Sequence, residues 1–180
     1  MIDALRDHIA LMGRLAELEE QVERAAQAIA DALKFGGRVI VFGNGGSAAD
    51  ASHFAAELVG RFQRERRALA ALALNDGPAM SAIANDFGFD LVFARQVEAL
   101  EQFGDVVIGV STSGKSENVR RGLAAAGVAT SIGLLGRDGG QCAVACDIPI
   151  IVPGHDTARI QEAHGFLLHV ICARVEELVI

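Results

Sequence analysis

Residues Arg38 to Leu58 read RVIVFGNGGSAADASHFAAEL. Val39-Ile40-Val41-Phe42 is an apolar, β-branched run. Gly43-Asn44-Gly45-Gly46-Ser47 is a glycine-rich turn, and a helix-forming stretch carrying Asp50, His53 and Glu57 follows it. Strand, turn and helix in that order make half of a parallel α/β unit. The turn leaves unpaired backbone N–H groups at a helix start, where the helix dipole is positive, and such a place holds a phosphate or a sugar oxygen. His53 and Glu57 are four residues apart and leave one face of their helix. An acid–base or metal-binding pair is therefore expected about one turn away from an anion cradle.

Working outward, the same logic recurs at Asp105–Val110, an apolar strand followed by Ser111-Thr112-Ser113-Gly114-Lys115-Ser116 and a helix from Glu117 to 126. Hydroxyls and backbone N–H groups together suit a phosphate monoester. Capping by Ser113 or Ser116, with Glu117 in the first turn, is the competing role, but three hydroxyls in succession exceed what a cap needs. Further strands are expected at Leu69–Leu74, Thr130–Leu135 and Asp147–Val152. Helices are expected over residues 3–34 (with Gly13 a break point), from Asn75-Asp76-Gly77-Pro78 to Asn85-Asp86-Phe87-Gly88, over 91–102 and over 157–179. Asp86 is placed in a loop, where it faces a site or closes a turn. Gly60–Arg67, GRFQRERR, holds four arginines. It reads first as a solvated loop, with a phosphate contact as the alternative.

Strands alternating with helices across short turns predict an α/β fold, a three-layer αβα sandwich with a mostly parallel five-stranded sheet. Its ligands bind at the carboxyl ends of the strands, where both turns lie. One domain spanning 1–180 is expected, an N-terminal helical segment at 1–34 and an α/β core at 38–180. The long amphipathic first helix would cover the core or meet a second subunit.

Of the 180 residues, 51% are hydrophobic and 22% charged, which argues against disorder, and the net charge of −7 argues against nucleic acid as a partner. No apolar run is long enough for a membrane span, and MIDALRDHIA is too acidic for a secretory signal. Cys142, Cys146 and Cys172 form no disulfide framework and read as reduced thiols of a cytoplasmic protein.

GNGGS does not match GxGxxG, and GxxxxGK[ST] is absent, so the anion is read as a sugar phosphate and not a nucleotide. The last helix carries Gln161, His164, Gly165 and His169. Gln161 and His169 lie within about 80° of one another around that helix but about 12 Å apart along it, which makes a shared ion demanding. His164 points away and reads as a structural or interface histidine. A carboxylate suits proton removal from carbon, an imidazole suits the oxygen, and a divalent metal would polarise a carbonyl. This is the chemistry of aldose–ketose isomerisation.

GNGGSAADASHFAAELVGRF, AIANDFGF, GVSTSGKSENV and TARIQEAHGFLLHVI together resemble the sugar isomerase (SIS) family over nearly the whole chain. The resemblance implies the SIS fold, a homotetramer with active sites between subunits, and one zinc ion per subunit held by His53, Glu57, Gln161 and His169. It also implies Glu57 as base and His169 as acid. Substrate contacts would come from Asn44, Gly45 and Gly46, from Asn85 and Asp86, and from the phosphate loop Ser111, Thr112, Ser113 and Ser116. The closest branch interconverts sedoheptulose 7-phosphate and D-glycero-D-manno-heptose 7-phosphate for bacterial surface heptose. Lys115 departs from the family, which usually has Asn there. The alternative within the family is a non-catalytic tetramer that binds the bacterial replication initiator.

Overall fold

The apolar runs become five parallel strands in the order β2-β1-β3-β4-β5. The computed structural model describes residues 1–180. In chain order the elements are α1 (Ile2–Arg14), α2 (Glu19–Lys34), β1 (Val39–Gly43), α3 (Gly46–Val59), β2 (Ala71–Ala73), α4 (Gly77–Phe87), α5 (Ala94–Leu100), β3 (Val106–Ser111), α6 (Glu117–Ala124), β4 (Thr130–Gly136), α7 (Gly140–Ala143), β5 (Ile148–Val152) and α8 (Thr157–Val179). Register runs straight across the centre, with Val41 opposite Ile108 and Ile108 opposite Ile132. All ladders are parallel, a stricter outcome than the mostly parallel sheet expected.

Alternation along the buried strands sorts side chains into two cores. Val39, Val41, Val106, Ile108 and Val110 face α2, α3 and α8. Ile40, Phe42 and Val107 face α5 and α6 on the other side, where Phe42 stacks on Phe93 with ring centroids 4.8 Å apart. No helix is long and apolar enough to cross a membrane.

The N-terminal helical segment is nearly continuous. Its break is a 3₁₀ turn at Leu15–Leu18, just past Gly13, and buries both Leu15 and Leu18. In a 3₁₀ turn residues i and i+3 eclipse, so one tight turn aims both leucines at the core. The run expected as a strand over 69–74 pairs only at Ala71–Ala73, and α5 is shorter than the helix expected over 91–102. α7 forms where a plain loop was expected. α8 has the bounds the sequence predicted.

Candidate active site

Chain order reverses at the sheet centre between β1 and β3, the crevice position of doubly wound sheets. Both turns singled out by sequence open here. Asn44, after β1, and Asn118, at the start of α6, exchange two amide hydrogen bonds of 2.8 and 2.9 Å that tie the turns together. Gly45 has φ +55° and ψ −120°, a conformation that glycine alone adopts readily. At Gly46 a Cβ would collide with the end of the Gln161 side chain, so the missing side chain leaves the Gln161 amide its place against this turn.

Asp50, in the next turn of α3, is half-buried, and its Oδ2 is enclosed without a hydrogen-bond partner. Burial raises its carboxyl above the usual range, while His53 and the Gln161 amide act in the opposite direction. Sequence reasoning left Asp50 without a role. Its position one turn before His53 was the only signal available.

The second turn is built from its own hydroxyls. Ser111 Oγ accepts from Gly114 N at 3.1 Å and lies 3.3 Å from Ser116 Oγ. Ser113 Oγ accepts from Lys115 N at 3.2 Å. Ser116 is the N-cap residue of α6, yet its side chain makes no cap bond. Simple capping therefore does not account for these hydroxyls. Gly114 has φ +65° and its carbonyl accepts from Cys142 N, which fastens the loop to α7. Lys115 stands exposed at the rim with Gly140 and Gln141.

His53 and Glu57 leave α3, and His169 leaves α8, to form a single cluster. One donor atom from each lies within 4.8 Å of the other two, a group that could hold a metal ion. His53 Nε2 is 3.0 Å from Glu57 Oε1 and 3.5 Å from His169 Nε2. The two imidazoles meet edge to face at 5.0 Å, and Phe62 stacks on His169 at 5.2 Å. One turn further along α8, the Cys172 thiol is pushed up to about 12, by burial first and then by Glu57 and Glu176. It is thus a packing group and no nucleophile. Cys142 is likewise raised to about 11 by burial. His164 is fully buried and its Nε2–H donates to the Leu135 carbonyl at 3.0 Å. Burial pushes it down to about 4, consistent with the structural role its position predicted.

Three expectations meet a different geometry. Gln161 lies against Gly46 and Asp50, at the glycine turn. The expected separation of Gln161 from His169 along α8 thus places the amide beside the first turn. Asp86 is in the last turn of α4, not in a loop, because the helix runs on to Phe87. Asn85 and Asp86 are exposed and hydrogen-bonded to each other at 2.8 Å.

The arginine stretch is not simply a solvated loop. Arg66 and Glu176 form an ion pair with side chains only 3% and 1% exposed. The Glu176 carboxylate accepts from the backbone N–H groups of Phe62, Gln63 and Arg64 at 2.9, 3.0 and 2.9 Å. Burial alone would raise this carboxyl. The three backbone donors and Arg66 outweigh it and hold the group below the usual carboxylate range.

The chain matches the sequence family described as SIS domain over residues 5–134. It is 49% identical over 177 residues to the phosphoheptose isomerase of Trichlorobacter lovleyi, covering 96% of this chain and 90% of that protein. It is 51% identical to the phosphoheptose isomerase of Citrifermentans bemidjiense, covering 96% and 92%. Among solved structures, the phosphoheptose isomerase of Francisella tularensis superposes with a TM-score of 0.93 at 34% identity, covering 97% of this chain and 95% of that one. That of Neisseria gonorrhoeae gives 0.86 at 42% identity, covering 97% and 98%.

Proposed function

This chain belongs to the SIS domain family, and from that premise we propose that it is a phosphoheptose isomerase, interconverting sedoheptulose 7-phosphate and D-glycero-D-manno-heptose 7-phosphate. The observation that carries the reading is the convergence of His53, Glu57 and His169 from two helices, in a chain that also opens a hydroxyl-lined turn at the end of β3. A phosphate anchor next to a carboxylate and an imidazole is what aldose–ketose proton transfer requires.

In this reading the substrate phosphate sits in the Ser111–Ser116 turn, received by Ser111, Thr112, Ser113 and Ser116 and by the start of α6. Asn44, Gly45 and Gly46 hold sugar hydroxyls, helped by Gln161 and, as a second contact, by Asn85 and Asp86. Glu57 removes the proton from one carbon and returns it to its neighbour through an enediol. His169 moves the proton on oxygen. The residues present also fit a zinc ion. A tetrahedral zinc with bonds of about 2.0–2.1 Å spaces its ligand atoms about 3.3 Å apart. The His53 nitrogen stands 3.0 Å from the Glu57 oxygen and 3.5 Å from the His169 nitrogen. His53, Glu57 and His169 would hold the ion, while the Gln161 amide, at the glycine turn, is left to the substrate. When bound, it supplies Lewis-acid polarisation of the substrate carbonyl. A homotetramer working in the cytoplasm completes the proposal.

Turnover of sedoheptulose 7-phosphate by the purified chain, with and without added zinc, tests it. Product is expected in the presence of zinc. Complete absence of turnover under both conditions would overturn the assignment.

A further inference from the structure

We infer that the buried Arg66–Glu176 pair positions the catalytic groups, acting on Glu57 through the backbone and on His169 through Phe62. The inference deepens the isomerase reading and rests on it for the meaning of the three groups.

The pair joins the two helices that carry the cluster. Glu176 lies seven residues after His169 on α8, two turns on and on the same face. Arg66 Nε donates to Glu176 Oε1 at 3.0 Å. Its Nη2 donates to the Glu57 carbonyl at 2.8 Å, and its Nη1 donates to the carbonyls of Leu58, Gly60 and Arg67 at 2.9, 3.2 and 3.0 Å. The carbonyls of Glu57 and Leu58 are among those the end of α3 leaves without helical partners. One planar guanidinium thus closes the last turn of α3 at the residue proposed as base.

The second arm runs through the loop. Glu176 gathers the N–H groups of Phe62, Gln63 and Arg64, which fixes the backbone at Phe62. The Phe62 ring then lies on the His169 imidazole, with an interplanar angle of 24°. A ring stacked on an imidazole restricts its rotation and keeps Nε2 aimed at His53 Nε2. A clamp serving stability alone would have no need to end on these two residues.

Phe62→Leu is the decisive variant, because it removes the ring and leaves the backbone bond to Glu176 intact. Disturbing the partner that orients a ligand or catalytic group costs about 10- to 100-fold. In Phe62→Leu, kcat is expected to fall about 10-fold with KM changed less than about twofold, and zinc affinity to fall by a similar factor. The ring resonances of His169 should shift and broaden. Phe62→Tyr, which keeps the ring, should restore all three. Arg66→Lys, which keeps the charge and loses the fork, should lower kcat in the same way, and it decides the matter if the leucine variant does not fold. Parental kcat and parental His169 resonances in folded Phe62→Leu would overturn the inference, as would a loss that Phe62→Tyr fails to rescue. If the parent itself does not turn over the heptose, the isomerase reading falls. The resonances and zinc binding then still decide whether the clamp acts on His169.

Discussion

Around Glu176 the carboxylate is met by three backbone N–H groups and a guanidinium, and solvent is shut out. Around His169, seven residues earlier on the same helix, two imidazole nitrogens face each other at 3.5 Å beside a carboxylate, and the His53 side chain is 51% exposed. Both clusters draw on α8 and on the region that ends α3. The first is complete within the chain; the second has donor atoms left over. A finished polar cluster holds the fold, whereas an unfinished one with converging lone pairs waits for a ligand.

Crossed substitutions break or sharpen that contrast. Glu57→Gln is expected to lower kcat by about 10³-fold, the scale of losing a general base. Its melting temperature should move by less than about 2 °C, since nothing buried is orphaned. Turnover near the parental rate would remove Glu57 as base. Glu176→Gln should do the reverse to stability. Leaving Arg66 buried without its counter-charge costs about 3–5 kcal/mol, or a melting temperature lower by on the order of 10 °C for a chain of this size. An unchanged melting temperature would refute the closed character of that cluster.

His164, five residues before His169 on α8, is the buried counterpart of an exposed histidine. Its folded pKa is pushed down to about 4 by burial, against an ordinary value of 6.5. The unfolded chain therefore binds the extra proton first. Stability is whole above pH 6.5 and drains as pH falls toward 4, by about 3 kcal/mol in all. Urea midpoints at pH 7 and pH 5 should show the loss, and His164→Leu should flatten it. The smallest effect belongs to the open cluster. Zinc at about 100 times its Kd should add about 2.7 kcal/mol, and His53→Ala should abolish the gain. A zinc-induced rise in melting temperature that survives in His53→Ala would place the ion elsewhere.

The centre of the sheet was legible because β1 and β3 are continuous apolar runs, each followed by a glycine- or hydroxyl-rich turn, the pattern of strands buried on both faces. α8 begins where the sequence expected it to, and there Asp156 caps it, accepting from Arg159 N. The pair His53 and Glu57 was visible from spacing alone. What stayed hidden depended on residues far apart in sequence. Arg66 looks like one charge in a solvated run, and Glu176 like half of a surface Glu-Glu pair, until the fold brings them together across 110 residues. Gln161 shared a helix with His169 but faces Asp50 and Gly46 because the glycine turn admits it there. Asp50 gave no sign of the enclosed oxygen it presents to that corner.

The buried thiols give the protein two internal clocks. Cys142 belongs to the core on the α6 side of the sheet and Cys172 to the core on the α8 side. Neither reacts while its layer stays shut, because each is enclosed and holds its proton to about pH 11 or 12. Alkylation of the unmodified chain would then time the breathing of one layer independently of the other, and show which face of the sheet opens first.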